Sequence, residues 1–422
     1  MTPALIQKMD PAGRWGWFVN LAVERIERWC LTLEDNGSGD MVHLPPNDVV
    51  MVWHSYLLNS YKYAEDTTRI SQLGRLVKYT EKMDAFLGSP DLLTTENPPP
   101  ERIQWWEQQT RTPYAPADAI AELTHKYVQC PRCFAQVTVP FVTPQGTGYA
   151  QSKFSHKCER CGHEVDNASL GLAKLVWNIV ESKSPDKYLA RTVMTPTAIK
   201  DEGLATRIKD RVLAANPVRR VLDPGARLAR HDAEYFAREI LLNVNWSSQN
   251  LYTAMSPQVL PRMRTLISSA YTDDRVFSLD LVGAVLRQGS FIQKMHDLEW
   301  TTPGFFDYGE DYLVLEHCVA RYHAFLGLMA ESPELFFVPT LDIDLAWHTH
   351  QLMATTYQQN CRRYIKRYVD HDDKVEENSL ANSFDDTCRV WQDKYHVPYM
   401  HCGCPLPGNT IGQKLKRLVN RK

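Results

Sequence analysis

Apolar residues recur at helical spacing along most of the chain. Between Trp17 and Leu33 they fall three or four positions apart, and the same spacing returns between Tyr312 and Met329. Such spacing places apolar side chains on one face of an α-helix. Residues 126–165 differ, because they contain a Val-Thr-Val-Pro-Phe-Val run that suits short strands. The pattern predicts a mainly helical fold with a small β element inserted into it.

One helical stretch occurs twice in the sequence. Residues 45–63 and 339–357 align without gaps, and each copy holds a Trp-His pair followed by a Tyr nine residues after the His. The matched pairs are Pro45 with Pro339, Asp48 with Asp342, Trp53 with Trp347, His54 with His348, and Tyr63 with Tyr357. We interpret this likeness as a duplicated helical unit. Residues polar in only one copy are then the better candidates for function.

Two pairs of cysteines have the spacing of a zinc site. Cys130 and Cys133 form one CxxC pair, Cys158 and Cys161 form another, and 24 residues separate the pairs. A two-residue gap lets one tight turn supply two thiolates, and Gly162 allows the second turn to close. Four thiolates fill the tetrahedron of Zn²⁺ and leave no open position. The spacing therefore predicts an inserted β zinc ribbon with a structural ion.

The second copy of the repeat carries the candidate chemistry. Asp344 and His348 lie four residues apart, so they share one face of a helix. A carboxylate beside an imidazole can orient its tautomer, raise its basicity, or join it as a metal ligand. A helix from Leu341 to about Tyr368, followed by a turn, can return His371 or Asp372 toward His348. The first copy has Val50 in the place of Asp344.

Two interpretations of this segment remain open. In the first, Asp344, His348 and His371 are catalytic, and a second divalent metal is bound by residues from the same segment. The candidate ligands of that metal are Asp344, His348, His350 and Asp372. In the second, Asp342 caps the helix and His348 is a buried histidine bonded to Asp344. A further soft-ligand cluster, His401-Cys402-Gly-Cys404, lies near a basic C-terminal stretch.

Composition narrows the class of protein. The chain has 422 residues, of which 44% are hydrophobic and 23% charged, so it can bury a large core. A net charge of -3 gives no general attraction to nucleic acid or anionic membranes. No signal peptide or membrane-length apolar run is evident. Ten cysteines in a chain of this length do not make a disulfide scaffold, so a cytoplasmic or nuclear location is expected.

The same patterns divide the chain into five segments. The predicted boundaries are 1–125 for an N-terminal helical unit with the first repeat, 126–168 for the ribbon, 169–310 for a central helical region, 311–400 for the second repeat unit, and 401–422 for a Cys-containing basic tail.

Several segments resemble the glycine-rich domain-containing protein family. They are DIDLAWHTHQL at 342–352, then Tyr357 and Cys361, HDD at 371–373 and FDDTCRVWQDKYHVPY at 384–399. PPNDVVMVWHSYLLN, VPFVTPQGTGYA and DLVGAVLRQGSFIQKM at 280–295 resemble its fungal branch. The resemblance implies a helical intracellular protein with a zinc ribbon and no established activity. The chain departs from the family name, since it has 20 glycines and no glycine-rich tail.

Three functions are consistent with these features of the sequence. The first is a scaffold or binding protein that presents a groove to a protein or small ligand, with Trp53, His54, Trp347 and Tyr357 as candidate binding residues. The second is a metal-assisted enzyme, an oxidoreductase or hydrolase, centred on Asp344 and His348. The third is nucleic-acid binding through the ribbon, which the net charge disfavours. The sequence places the scaffold slightly ahead.

Overall fold

The computed structural model is mostly helical and divides into two compact units. Unit 1 comprises Met1–Tyr56 and Tyr61–Gly283, and unit 2 comprises Leu57–Ser60 and Ala284–Lys422. Within the described residues, no helix combines the length and hydropathy needed to span a bilayer. The described residues are 6, 8–34, 44–88, 98–182, 187–219, 221, 230–307, 309–371 and 377–400.

Unit 1 is helical on either side of two short hairpins. The helices before the hairpins are α1 (Pro11–Thr32), α2 (Asn47–Leu58), α3 (Ser60–Arg69), α4 (Ser71–Gly74), α5 (Leu76–Thr80), α6 (Met83–Leu87), α7 (Pro100–Thr110) and α8 (Pro116–Glu122). The last two residues of α2 belong to the short segment assigned to unit 2. The strands are β1 (His125–Gln129), β2 (Gln136–Pro140), β3 (His156–Lys157) and β4 (Glu164–Val165). The helices after them are α9 (Asn167–Glu181), α10 (Glu202–Leu213), α11 (Asn216–Arg219), α12 (Arg230–Asn243), α13 (Ser248–Met255) and α14 (Pro261–Ser268).

In the part that the structure describes, unit 2 contains helices and no strands. Helix α15 (Leu281–Asp297) begins at the end of unit 1 and continues into unit 2. The elements that follow are α16 (Gly309–Glu331), α17 (Leu341–Leu352), α18 (Ala354–Asn360), a π-helix (Cys361–Ile365) and α19 (Glu377–Tyr395). The prediction of a mainly helical fold with a small β insertion is confirmed, since β1–β2 and β3–β4 pair as separate antiparallel hairpins. The five-segment division stays a prediction.

Helix α1 anchors the β insertion. Asp10 caps the helix by accepting a hydrogen bond from the Gly13 amide, and a proline follows at the first helical position. The buried residues Trp17 and Leu21 pack in one apolar cluster with Val128 and Val137 of the first hairpin. Burial of apolar side chains is the main favourable term in such packing. The helix and the hairpin therefore share a core.

A buried ion pair reinforces that attachment. The Lys126 ammonium, on β1, lies 2.7 Å from a carboxylate oxygen of Glu24 on α1, and 3.4 Å from one of Glu27. Burial alone would raise the pKa of Glu24, but the neighbouring Lys126 charge outweighs it and lowers the pKa to about 2. The pair is therefore ionised at neutral pH and ties the hairpin to the helix.

In both copies of the repeat, the aligned aspartate forms a buried ion pair with an arginine of the preceding helix, and we call this pair the Arg–Asp clamp. In unit 1, Arg25 Nε lies 2.9 Å from Asp48 Oδ2. In unit 2, Arg321 Nε lies 2.6 Å from Asp342 Oδ2. Asp342 is thus engaged by an arginine, and Thr340, which precedes α17, makes no side-chain cap. The alternative in which Asp342 caps its helix is wrong in this respect.

The arginine of each clamp also contacts a second motif, Trp-x₆-Pro-Tyr, which the sequence analysis did not predict. Arg25 stacks 5.2 Å from the Trp106 ring centroid and donates to the carbonyl of Tyr114. The corresponding contacts of Arg321 are the Trp391 ring, again at 5.2 Å, and the carbonyl of Tyr399. In both copies a left-handed residue five positions after the tryptophan turns the chain back, Arg111 in one and His396 in the other.

These matching contacts support the duplication, which stays a prediction. They extend the likeness between the copies beyond the two aligned helices. In each unit it now includes the preceding helix, which carries the arginine, and the end of a later helix, which carries the Trp-x₆-Pro-Tyr motif. The aromatic packing agrees, because Trp29 lies four residues after Arg25 and packs on Trp53, as Phe325 packs on Trp347.

We expect Asp48→Ala to destabilise unit 1 by about 3–5 kcal/mol, because it leaves the buried Arg25 guanidinium without its counter-charge. Urea denaturation followed by tryptophan fluorescence measures this as a lower midpoint. Glu202→Ala, which removes one partner of the exposed Lys200–Glu202 pair, is the control and is expected to leave the midpoint nearly unchanged. Equal midpoints for the two variants would contradict a structural role for the clamp.

Candidate metal centres

The four cysteines of the two CxxC pairs meet at one point. The Sγ atoms of Cys130 and Cys161 are 3.6 Å apart, and those of Cys133 and Cys158 are 3.7 Å apart. All four Sγ atoms lie within 4.8 Å of one another. A sulfur–sulfur bond is about 2.05 Å long, so these are thiols and not disulfides. A group of this composition can hold a metal ion.

The backbone of each pair is shaped around the sulfur atoms. The residue after each pair, Phe134 or Gly162, has positive φ, 54° and 71° respectively. Gly162 adopts this conformation freely, as expected, whereas Phe134 adopts it as a non-glycine residue. In the second pair burial raises the thiol pKa of Cys158, but hydrogen bonds from backbone N–H groups of Cys161 and Arg160 lower it to about 7.

Aromatic side chains of unit 1 cover part of the first pair. The Phe134 ring lies 5.6 Å from that of Trp177 on α9, measured between centroids. The guanidinium of Arg132 lies 5.3 Å from the Trp246 ring centroid. Two side chains of this turn therefore pack on tryptophans of unit 1, and Arg132 remains exposed.

In unit 2, Asp344, His348 and His371 also meet at one point, and we call them the Asp–His–His triad. His371 Nε2 lies 3.2 Å from Asp344 Oδ1 and 3.2 Å from His348 Nε2. The remaining distance, from His348 Nε2 to Asp344 Oδ1, is 3.4 Å. These three atoms form a nearly equilateral triangle. His348 is 6% exposed, while His371 is 13% and Asp344 17% exposed, so the triad is sheltered and retains an accessible edge.

Two features of the fold bring these residues together. Asp344 and His348 share a face of α17, as their spacing predicts. After α18 the chain widens into the π-helix Cys361–Ile365 and reverses at Lys366, which has a φ of 63°. This ends the helical run that was expected to reach Tyr368. The reversal returns His371 to His348.

Tyr357 holds the returning segment in place. It is fully buried, and its hydroxyl donates to the carbonyl of Val369 at 2.9 Å. The same hydroxyl accepts from the Trp347 indole N–H at 3.0 Å. Trp347 in turn packs edge-on against His371, with ring centroids 4.9 Å apart. Tyr357 and Trp347, predicted as binding residues, thus act in this structure as supports for His371.

Helix α15 contributes the other wall of the triad. The Phe291 ring lies 4.5 Å from the His348 ring, measured between centroids. Burial tends to raise the pKa of Asp344, but the hydrogen bond from His371 and the charges of His348 and His371, with a smaller contribution from Lys294, bring it below its usual value. Asp344 is therefore a carboxylate at neutral pH, ready to accept a cation.

The other candidate residues have different surroundings. His350 is bonded by Tyr322 at Nδ1 (3.0 Å) and by Asn360 at Nε2 (3.1 Å), which disfavours a ligand role. Burial lowers the pKa of His54 to about 4, so it is neutral at pH 7. Trp53 is buried in the core of unit 1. Asp372, with the His401-Cys402-Cys404 cluster, lies outside the described residues.

We expect Tyr357→Phe to weaken metal binding at the triad by about tenfold, because the loss of its hydroxyl frees the segment that presents His371. Tyr63→Phe is the matched control, since Tyr63 is the equivalent residue of the first copy and its hydroxyl bonds Thr80. Competition titration with a chromophoric chelator measures both affinities. A similar loss in the two variants would mean that general destabilisation is the cause.

Comparison with known proteins confirms the predicted resemblance over part of the chain. Residues 220–360 match the family model described as glycine-rich domain-containing protein-like. Glycine-rich domain-containing protein 2 of Arabidopsis thaliana is 34% identical over 145 residues, which is 32% of this chain and 17% of that protein. Glycine-rich domain-containing protein 1 of the same plant is 32% identical over 139 residues, 31% of this chain and 16% of that protein. No solved structure matches the chain.

These similarities are confined to one region. The chain spans about a sixth of the length of the two plant relatives, and the matched segment covers about a third of this chain. The family-model match includes Asp344 and His348 but ends before His371, and it begins after the cysteine pairs. The match therefore covers α12–α18 and contains none of the Cys₄ group.

Proposed function

We propose that this protein is a metal-assisted enzyme whose catalytic ion is held by the Asp–His–His triad, and that a structural zinc ion occupies the Cys₄ group. The observation that carries the proposal is the convergence of Asp344 Oδ1, His348 Nε2 and His371 Nε2 on one point, with distances of 3.2–3.4 Å. Two imidazoles and a carboxylate form a donor set that proteins use for catalytic divalent metals.

The distances fit an ion better than a hydrogen-bond network. A divalent ion about 2.1 Å from three ligands holds the ligand atoms about 3.0–3.4 Å apart. Without an ion, the two imidazole nitrogens face each other at 3.2 Å, and at most one proton can lie between them. An ion at the centre satisfies all three atoms together.

Three ligands leave coordination positions for water and substrate. An ion with open positions polarises a bound oxygen and lowers the pKa of a bound water. Asp344 and His371 are both partly exposed, so solvent or a substrate can reach this edge of the triad. The Cys₄ group is different, because four thiolates close the coordination sphere. Its sulfur separations of 3.6 and 3.7 Å are near the roughly 3.8 Å expected around Zn²⁺.

The other two functions have less support. The scaffold was slightly favoured by the sequence, but its candidate residues Trp347 and Tyr357 are engaged in holding His371, and Trp53 is buried. Nucleic-acid binding through the ribbon is disfavoured because Arg132 is stacked on Trp246. We therefore rank the enzyme first.

Metal analysis tests the proposal. Protein reconstituted with excess divalent metal and then desalted is expected to hold two ions per chain by plasma mass spectrometry. A mild chelator is expected to remove the three-ligand ion first and leave the Cys₄ zinc. One ion per chain under every condition, with Mn²⁺, Fe²⁺, Co²⁺ and Zn²⁺ each offered, would contradict an ion at the triad.

A further inference from the structure

A buried tyrosine–histidine pair lies next to Trp347 in unit 2. Tyr322, on α16, is buried, and its ring is nearly parallel to that of Trp347, with centroids 6.4 Å apart. The Tyr322 hydroxyl lies 3.0 Å from Nδ1 of His350. Trp347 in turn packs on the triad residue His371 at 4.9 Å between ring centroids. Both separations are those of aromatic rings in contact, so one indole ring connects the pair to the triad.

The two positions of this pair are occupied differently in the first copy of the repeat. Ile26, which follows the clamp arginine of that copy, stands in the place of Tyr322. Ile26 is fully buried, so an apolar side chain is sufficient for packing at this position. Tyr56 stands in the place of His350 and donates its hydroxyl to Asp66. The phenol–imidazole pair is therefore specific to the copy that contains the triad.

A phenol bonded to an imidazole is suited to give up an electron. Oxidation of a phenol releases its proton, and a base already bonded to the hydroxyl can accept that proton directly. His350 Nδ1 is such a base when the ring carries its own proton on Nε2. The side-chain amide of Asn360 lies 3.1 Å from Nε2 and can present its oxygen to that proton after a half-turn. Tyr357 is less suited, because its hydroxyl donates to the Val369 carbonyl, which is a poor base.

We propose that the triad ion is iron and that Tyr322 donates an electron to this centre through Trp347 when peroxide oxidises it. This inference rests on the proposed function, since the electron acceptor is the triad centre. Two imidazoles and one carboxylate with open positions are the donor set of non-haem Fe²⁺. In this role Tyr322 removes an oxidising equivalent from the centre when no substrate is bound, which protects the two histidine ligands.

The electrons and protons of this step balance. Hydrogen peroxide takes up two electrons and two protons and gives two water molecules. One electron comes from Fe²⁺, which becomes Fe³⁺, and the other comes from Tyr322 by way of Trp347. The phenolic proton of Tyr322 moves to Nδ1 of His350, and the two protons for the water molecules come from solvent. The product is a neutral tyrosyl radical at a buried position.

Electron paramagnetic resonance of freeze-quenched samples tests the inference. Protein loaded with Fe²⁺ under nitrogen is mixed with hydrogen peroxide and frozen at successive times. The wild type is expected to give a tyrosyl radical signal together with Fe³⁺. Tyr322→Phe is expected to bind iron as the wild type does and to lose the radical signal. Tyr364→Phe, which removes an exposed tyrosine of unit 2, is the control and is expected to keep the signal.

A second variant tests the proton acceptor separately. His350→Gln keeps a hydrogen-bond partner beside Tyr322 but removes the base. It is expected to hold iron as the wild type does and to give no tyrosyl radical. A role of His350 in packing alone would leave the radical signal unchanged, and that result would overturn the inference.

The outcomes separate this inference from the proposed function. Equal radical signals in wild type and Tyr322→Phe, or no radical in the iron-loaded wild type, would overturn the inference and leave the metal centre standing. A radical in Asp344→Asn protein that lacks triad iron would do the same, because peroxide would then act elsewhere. A triad that binds Mn²⁺ or Zn²⁺ but not Fe²⁺ would also overturn the inference alone. A triad that binds no ion would overturn both.

Discussion

Replacing Cys158 with serine is expected to release the ion from the Cys₄ group and to lower the thermal midpoint of the protein by roughly 10 °C. Cys158 is buried and supplies one of four convergent sulfurs. Serine has almost the same shape, but its hydroxyl does not ionise near neutral pH and is a poor zinc ligand. Because the first hairpin and α1 share one apolar cluster that includes Cys130 and Cys158, the loss of the ion loosens a core and not an isolated loop.

A matched cysteine variant provides the control for this experiment. Cys388 lies half-buried on α19, in unit 2 and outside the Cys₄ group. Cys388→Ser is expected to keep one tightly held zinc ion per chain and to melt near the wild-type temperature. Release of zinc is measured with a chromophoric indicator, and stability by calorimetry. If Cys158→Ser retained zinc and stability equal to those of Cys388→Ser, the ribbon would not depend on a bound metal.

Asp344→Asn is expected to weaken binding of the second ion by about 100-fold or more, because it removes the one charged ligand of the triad. Asparagine preserves the size of the side chain, so the fold of α17 is expected to remain. His348→Gln removes a different ligand and is expected to have a similar effect. Titration with Co²⁺ or Mn²⁺, followed by metal analysis, measures the affinity while the Cys₄ zinc serves as an internal count of intact protein.

The first copy of the repeat supplies the control. His54 is equivalent in sequence to His348 but has Val50 in place of the aspartate. His54→Ala is therefore expected to leave both metal contents unchanged. A large fall in melting temperature for His348→Gln, together with normal metal content in Asp344→Asn, would instead identify His348 as a core residue bonded to its neighbour, and the enzyme proposal would fail.

The local features of these sites were readable from the sequence because they depend on fixed spacing. A two-residue gap within each CxxC pair and a four-residue gap between Asp344 and His348 determine which side chains face one way. The return of His371 was predicted only as an option beside Asp372, since it depends on where a helical run ends. Here the run ends in a π-helix and a left-handed residue, Lys366, neither of which has a dependable sequence signal.

The supporting contacts could not be predicted in the same way. The arginines of the two clamps lie more than 20 residues before their aspartates, and an arginine in an amphipathic helix is usually exposed. One signal was available, because Trp-x₆-Pro-Tyr occurs at 106–114 and again at 391–399.

The Arg–Asp clamp also limits how such a chain can evolve. A single substitution at either partner leaves an unpaired charge in the interior. A protein with only one partner replaced is therefore less stable than one with the intact clamp or one with an apolar pair. Residues two positions after the clamp aspartate are under no such restriction. Val50 and Asp344 illustrate this freedom, because each follows its clamp aspartate by two positions, and one is apolar while the other is acidic. A functional side chain can therefore arise in one copy while the Arg–Asp clamp that stabilises this copy stays unchanged.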